Sequence, residues 1–281
     1  MKTRVLTAVV ALPLLLAVLF VLPWKWPTAL LIAACCAIAV WELCAQTGLC
    51  RHRGMQLASS LMALCVIFYS WAQGQSDGAL RVQIPAVAVY AALFLYILAL
   101  LCMLLRAHAQ LPFTALCVAL FAGLVIPWLL GAVVRLRMLE YGRTYLGAAL
   151  ILAMTADTGA YFAGRAFGKH KLAPVISPKK TVEGAIGGIL STVLFMLLYC
   201  LLLHKLGGLT VHYGRAVLYG VVGASLSIVG DLSFSVVKRQ VGIKDYGKLL
   251  PGHGGILDRF DSMLTVAPLT ELLALLLPLV G

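Results

Sequence analysis

The chain alternates long uncharged stretches with short polar ones. Nine apolar runs fall near residues 5–22, 28–46, 55–73, 84–105, 112–134, 145–163, 183–203, 216–237 and 262–280. Each approaches the length of about 20 helical residues that crosses a bilayer core of about 30 Å. Lipid offers no hydrogen bonds to an exposed backbone, so runs this long predict helices; strands of a membrane barrel would alternate over about ten residues instead. The expected fold is an all-α integral membrane protein, a polytopic bundle of about nine transmembrane helices. Little chain is left for a soluble domain. Residues 1–281 read as a single membrane domain, with N-terminal helices over 1–143 and the chemistry-bearing helices and cytoplasmic loops over 144–281.

Composition agrees: 62% of the 281 residues are hydrophobic and 11% charged, against about 45–50% apolar content in a soluble domain. The first run follows Lys2 and Arg4 like the h-region of a signal peptide. It is longer than a usual h-region, its flank Pro23 to Thr28 is a poor cleavage site, and further spans follow, so it reads as a span. The eight cysteines show no C-x-x-C pair and no metal-ligand spacing, which makes them small core hydrophobes.

The formal charge of +12 does not point to nucleic acid in such a chain, because Lys and Arg first report topology. With the N-terminus inside, the loops facing the cytoplasm hold Lys2, Arg4, Arg51, Arg53, Arg106, Arg165, Lys169, Lys171, Lys179, Lys180, Lys238, Arg239, Lys244, Lys248 and Arg259. The other side holds Lys25, Arg81, Arg135, Arg137, Arg143, Lys205 and Arg215. That bias puts the N-terminus inside and, after nine spans, the C-terminus outside. Topology alone does not explain the acids in or beside the same inner loops: Asp157, Glu183, Asp231, Asp245, Asp258 and Asp261.

Asp157 and Asp231 stand near the cytoplasmic ends of spans six and eight, and Asp258 and Asp261 open span nine, so all four are expected at one depth. The i,i+3 spacing of the last two puts them on one helical face. An intramembrane Asp costs about 2.5–3.5 kcal/mol on insertion scales and usually faces a partner or a polar cavity. Clustered carboxylates repel unless a cation joins them, and hard oxygen donors suit Mg²⁺ with substrate phosphates. The bland readings are helix-dipole partners for Asp258 and Asp261, worth about 0.3–1 kcal/mol each, and salt bridges to loop Lys or Arg for Asp157 and Asp231. Glu42 and Glu271, inside spans two and nine, receive no role.

Ser177 followed by Pro178 predicts a helix N-cap with proline at N1, which places Lys179 and Lys180 in the first turn of span seven. An anion on the free N–H groups would reconcile those cations with the helix dipole, and phosphate is the natural choice. The segment Gly164 to Lys169 is one residue too short for a P-loop, follows a helix and has His170 where Ser or Thr belongs. Gly252, Gly254 and Gly255 around His253 let backbone N–H groups approach an oxyanion, and equally suit a plain turn.

The assembled motifs closely resemble the phosphatidate cytidylyltransferase family, also called CDP-diacylglycerol synthase. The signature S-x-x-K-R-x4-K-D-x-G-x2-L-P-x-H-G-G-x-x-D-R-x-D is met by Ser235, Lys238, Arg239, Lys244, Asp245, Gly247, Leu250, Pro251, His253, Gly254, Gly255, Asp258, Arg259 and Asp261. A second block runs from Asp157 to Gly184, and Gly230 to Ser235 reads GDLSFS. The likeness is strong over the C-terminal half; the first five spans share only hydrophobicity.

The resemblance implies transfer of the cytidylyl group of CTP to phosphatidic acid, giving CDP-diacylglycerol and pyrophosphate, in a multi-pass protein of the bacterial cytoplasmic (inner) membrane. It implies Mg²⁺, with K⁺ as a second cation, and a homodimer. Metal residues are then Asp231, Asp258 and Asp261, with Lys238, Arg239 and Arg259 completing the catalytic set. Asp157, Lys179, Lys180, Thr181, Ser235, Lys244, Asp245, His253, Gly254 and Gly255 bind substrate. Phosphatidate is already an anionic nucleophile, so attack on the α-phosphorus needs charge neutralisation and in-line positioning more than a general base. A CTP-dependent polyprenol or phytol kinase would use similar groups but release CDP, and an ion transporter would spread its acids across the membrane.

Overall fold

The structure is a computed structural model that describes residues 13, 15–74, 84–247, 249 and 254–281. Among them, seven helices are long and apolar enough to cross a membrane: α1 Trp26–Gln46, α2 Arg53–Gln73, α3 Ala86–Arg106, α4 Phe113–Met138, α5 Gly142–Phe167, α6 Val182–Gly207 and α7 Tyr213–Gln240. Between α5 and α6 lies an antiparallel hairpin of β1 (Lys171–Ala173) and β2 (Ser177–Thr181). The short α8 (Leu257–Phe260) and the 14-residue α9 (Met263–Leu276) complete the order.

The count of nine spans is not reproduced. Half of the expected first span, 5–12 and 14, lies outside the described residues; toward its end, Ala17–Val21 is a single π-helical turn. The expected ninth is α9, which at about 1.5 Å per residue reaches roughly 21 Å, short of a bilayer core. The chain then runs extended, with Val280 bridging Val211 and the Leu279 N–H donating to the Tyr145 hydroxyl at 3.2 Å.

Two compact units emerge. The first comprises Met1–Leu139 and Val241–Phe260, the second Glu140–Gln240 and Asp261–Gly281. In the first, α1, α2 and α4 pack on one another and α3 leans on α2. Both α1 and α4 contain a π-helical stretch, Glu42–Gln46 and Phe121–Val125. Beside the latter, the Ala119 carbonyl accepts from the buried Tyr96 hydroxyl at 2.7 Å and from Ser59 Oγ at 3.1 Å, so the polar groups near the irregular turn stay satisfied.

In the second unit, α5 packs along α6, and α7 and α9 close the bundle. The α5–α6 seam is lined with small residues. A Cβ on Gly188 would stand 2.7 Å from the Ala156 carbonyl, one on Gly187 2.1 Å from the Ala163 Cβ, and one on Gly184 2.8 Å from the Ala160 carbonyl. Helices in lipid associate largely by such close van der Waals approach, since apolar surface alone gives no preference over lipid tails. The opposite side of α6 exposes Leu190, Leu194 and Leu198 at helical spacing, as a lipid-facing stripe does. Of the cysteines expected in the core, Cys35, Cys36, Cys44, Cys50 and Cys200 are buried, whereas Cys65, Cys102 and Cys117 are exposed on helices α2, α3 and α4, where a thiol is as apolar as lipid requires.

Gly188→Leu is expected to force α5 and α6 apart and to cost about 1–3 kcal/mol of stability, the usual penalty of overpacking. Thermal unfolding of the purified protein in detergent reads this; a curve superimposable on that of the unchanged protein refutes the tight seam.

Candidate active site

The second unit contains a cavity of about 360 Å³, lined by Asp157, Tyr161, Gly164 and Arg165 of α5, Lys179, Lys180 and Thr181 of β2, Gly184 of α6 and Asp231 of α7. Three cations and two carboxylates thus share one recess at the end of an otherwise apolar bundle.

Each comes from a different local cause. On α5, Asp157, Tyr161 and Arg165 follow at i, i+4 and i+8, so one side of the helix carries all three. The helices α5 and α7 run ten and nine residues past Asp157 and Asp231, so these acids sit deeper than the helix ends where the hydropathy pattern put them. The lysines are not in a helical first turn. Ser177 pairs with Ala173 in the hairpin, and the true N-cap of α6 is Thr181, whose Oγ1 accepts from the Gly184 N–H at 3.1 Å. Proline is tolerated in this two-stranded ribbon because each strand is an edge. The expected Ser177 cap is therefore replaced by a hairpin that presents Lys179 and Lys180 to the cavity.

The hairpin is tied down at both ends. The Lys169 N–H donates to Glu183 Oε2 at 3.0 Å, and His170 Nδ1 lies 2.6 Å from Glu183 Oε1. Arg239, in the last turn of α7, donates through Nε to the Ile176 carbonyl at 3.1 Å. Lys180 forms an ion pair with Asp231, and Ser235 Oγ donates to Asp231 Oδ1 at 3.3 Å one helical turn on.

Asp261 lies in the turn before α9 and is buried, its Oδ1 accepting from the Ser262 N–H at 2.8 Å. Ser262 Oγ in turn donates to Asp157 Oδ2 at 3.5 Å. Burial, then the charge of Asp231, and more weakly that of Asp157, push the Asp261 carboxyl up to about 7, against the opposing pull of Lys238 and the Ser262 N–H. Lys238 is itself buried on α7. Three carboxylates and two lysines therefore feel one another within the second unit.

The remaining sequence candidates belong to the first unit. Lys244, Asp245 and Arg259 are exposed. Gly254 adopts φ +85°, a left-handed backbone that glycine accepts freely. Asp258 is buried and its Oδ2 accepts from the Tyr246 N–H at 2.7 Å and the Gly255 N–H at 2.9 Å. His253 lies outside the described residues. Among the described residues, no three His, Cys, Asp or Glu side chains stand closely enough together to hold a metal ion. Tyr161, Arg165 and Ser262 are not among the expected site residues; helical spacing from Asp157 is the signal in the sequence for the first two, and nothing marks Ser262.

A family model described as "Cytidylyltransferase family" matches residues 2–277. The chain is 34% identical over 276 residues to a phosphatidate cytidylyltransferase of Bacillus subtilis, covering 95% of each protein. It is 32% identical over 294 residues to one of Haemophilus influenzae, covering 95% of this chain and 96% of that protein. A Staphylococcus epidermidis phosphatidate cytidylyltransferase reaches 46% identity over 132 residues, 47% of this chain and 49% of its own length.

Thr181→Ala removes the α6 cap and is expected to cost about 1 kcal/mol, with faster amide exchange at Gly184. Exchange at Gly184 unchanged from the parent protein would show that the cap is idle.

Proposed function

The chain belongs to the cytidylyltransferase family, and from that premise we propose that it transfers the cytidylyl group of CTP to phosphatidic acid, giving CDP-diacylglycerol and pyrophosphate for phospholipid synthesis. It is a nucleotidyltransferase embedded in a membrane. The observation that carries the substrate reading is the polar cavity of about 360 Å³ in which Arg165, Lys179 and Lys180 face Asp157 and Asp231 at the end of lipid-facing helices.

In this reaction a phosphate oxygen of phosphatidate forms a new bond to the α-phosphorus of CTP, and the bond from that phosphorus to the bridging oxygen of the β-phosphate breaks. The electron pair leaves with pyrophosphate. The nucleophile carries its own negative charge, so what the protein must supply is alignment and cancellation of repulsion between two polyanions. Arg165 offers a planar fork suited to two phosphate oxygens, and the lysines act as movable point charges. Lys180 leaves its pairing with Asp231 to meet substrate, and Lys238 offsets charge beside Asp261.

The donor set suits a divalent cation. Asp157, Asp231 and Asp261 are hard oxygen donors, and the raised Asp261 carboxyl marks a place where burial and like charge favour either a proton or a cation. In this reading Asp231 and Asp261 hold Mg²⁺ with Asp157 beside them, and Asp258 serves through the first unit. The ion, when bound, would neutralise phosphate oxygens and the charge that develops on pyrophosphate. K⁺ as a second cation, a homodimer and an inner-membrane placement belong to the same reading through the family resemblance, and the Lys and Arg bias supports an orientation with the N-terminus and the site on the cytoplasmic side. The lipid-kinase alternative finds no support, since the family and the named relatives are cytidylyltransferases.

Radiolabelled CTP incubated with the detergent-purified protein, phosphatidic acid and Mg²⁺ is expected to yield labelled CDP-diacylglycerol and stoichiometric pyrophosphate; CDP with a newly phosphorylated lipid would overturn the proposal. Asp261→Asn is expected to lower kcat at least about 100-fold, whereas Lys179→Ala is expected mainly to raise KM. Near-normal turnover by Asp261→Asn would remove that residue from the cation site.

A further inference from the structure

Glu42 is a carboxylate inside a membrane helix, fully buried and 214 and 215 residues from its two partners in sequence. Such a group is costly in an apolar setting unless its hydrogen bonds are met. They are met by a single segment: Oε1 accepts from the Ile256 N–H at 2.9 Å and Oε2 from the Leu257 N–H at 2.8 Å. Both amides lie in the glycine-rich signature loop immediately before Asp258.

The fit is close on two sides. A Cβ on Gly255 would stand 2.3 Å from Glu42 Oε1, and one on Gly247 2.5 Å from the same oxygen. The loop is also closed from within, because Asp258 accepts from the N–H groups of Tyr246 and Gly255. Two carboxylates therefore take four backbone donors between residues 246 and 257, one from inside the motif and one from α1. Hydrogen bonds to a charged acceptor in a dry setting are among the stronger ones a protein makes.

We propose that Glu42 is a positioning residue for cytidylyl transfer, holding Gly247 and the segment Gly255 to Asp258 in their working arrangement without touching substrate. This rests on the reaction assigned above. It gives the unassigned acid of α1 a role, and it explains two glycines of the signature by the room that the Glu42 carboxylate needs.

The test uses the full-length protein in detergent with four variants: Glu42→Gln, Glu42→Ala, Gly255→Ala and the double variant Glu42→Ala/Gly255→Ala. Turnover, thermal unfolding and amide hydrogen exchange are read on each. Glu42→Ala is expected to lower kcat about 100-fold with KM for CTP within about twofold, and Glu42→Gln, which keeps one acceptor oxygen, about tenfold. Amide exchange at Ile256 and Leu257 should rise in both while α2 stays protected. Gly255→Ala should be damaging alone yet add little to Glu42→Ala, because the carboxylate it collides with is gone. The proposal is overturned by a Glu42→Ala protein with normal kcat, by exchange that rises throughout the first unit with a matching fall in unfolding temperature, or by strictly additive losses. A parent protein without cytidylyl transfer would sink the reaction assignment instead, and exchange at Ile256 and Leu257 would still decide whether Glu42 anchors the loop.

Discussion

The second unit depends on how closely α5 approaches α6. The chain between them is short, and its hairpin starts and ends where the two helices touch: Thr181 Oγ1 would lie 2.9 Å from a Cβ on either Gly164 or Gly168. Bulk at this seam would move Thr181, and with it the strand that carries Lys179 and Lys180. Small residues along the seam therefore do more than pack a membrane bundle. They set the height at which two cations stand above Asp157 and Asp231.

Charge in an apolar frame then determines what the recess can do. A carboxylate removed from water either takes up a proton or gains a cation. Asp231 has the Lys180 ammonium, while Asp261, buried beside Asp231, is left near a balance of the two forms at neutral pH. In the proposed reaction such a set would meet a nucleoside triphosphate, a lipid phosphate and a hard cation with little repulsion, because positive charge is either already present or replaces a proton. The same groups in water would be worth far less, since attraction between charges weakens as the dielectric rises. The lipid-facing leucines of α6 and the polar recess at its base are thus parts of one electrostatic arrangement.

Most of the helical frame was legible in hydropathy, since an apolar run in lipid has no alternative to a helix. Where the structure departs from the hydropathy pattern, a second constraint takes over. The apolar runs stop at the first charges, but α5 continues through Arg165 and α7 through Lys238 and Arg239, because helical hydrogen bonds persist beyond the lipid boundary. Ser177-Pro178 carries the same local signal for a helix start as for an edge strand, and pairing with Ala173 decided for the strand. The final apolar run is too short as a helix because Val280 pairs with Val211 instead. Asp231 and Asp261 could be named from their motifs; that Asp258 would give an oxygen to its own loop could not, since backbone hydrogen bonds leave no mark on residue identity.

The signature itself changes meaning once Glu42 is seen beside it. Read alone, the glycines around His253 suggest either a phosphate-binding turn or a plain flexible one. Among Gly247, Gly254 and Gly255, only Gly254 has a backbone that requires glycine, at φ +85°; Gly247 and Gly255 are small because a carboxylate from α1 occupies the space that a methyl group would fill. Four hydrogen bonds to two buried carboxylates hold Tyr246 and the segment Gly255 to Leu257. The N–H groups of Tyr246, Gly255, Ile256 and Leu257 are already committed to carboxylates, so these four are not free to cradle phosphate. In the proposed reaction, charge on phosphate oxygens is then met by side chains, and the second unit gathers Arg165, Lys179 and Lys180 around one recess.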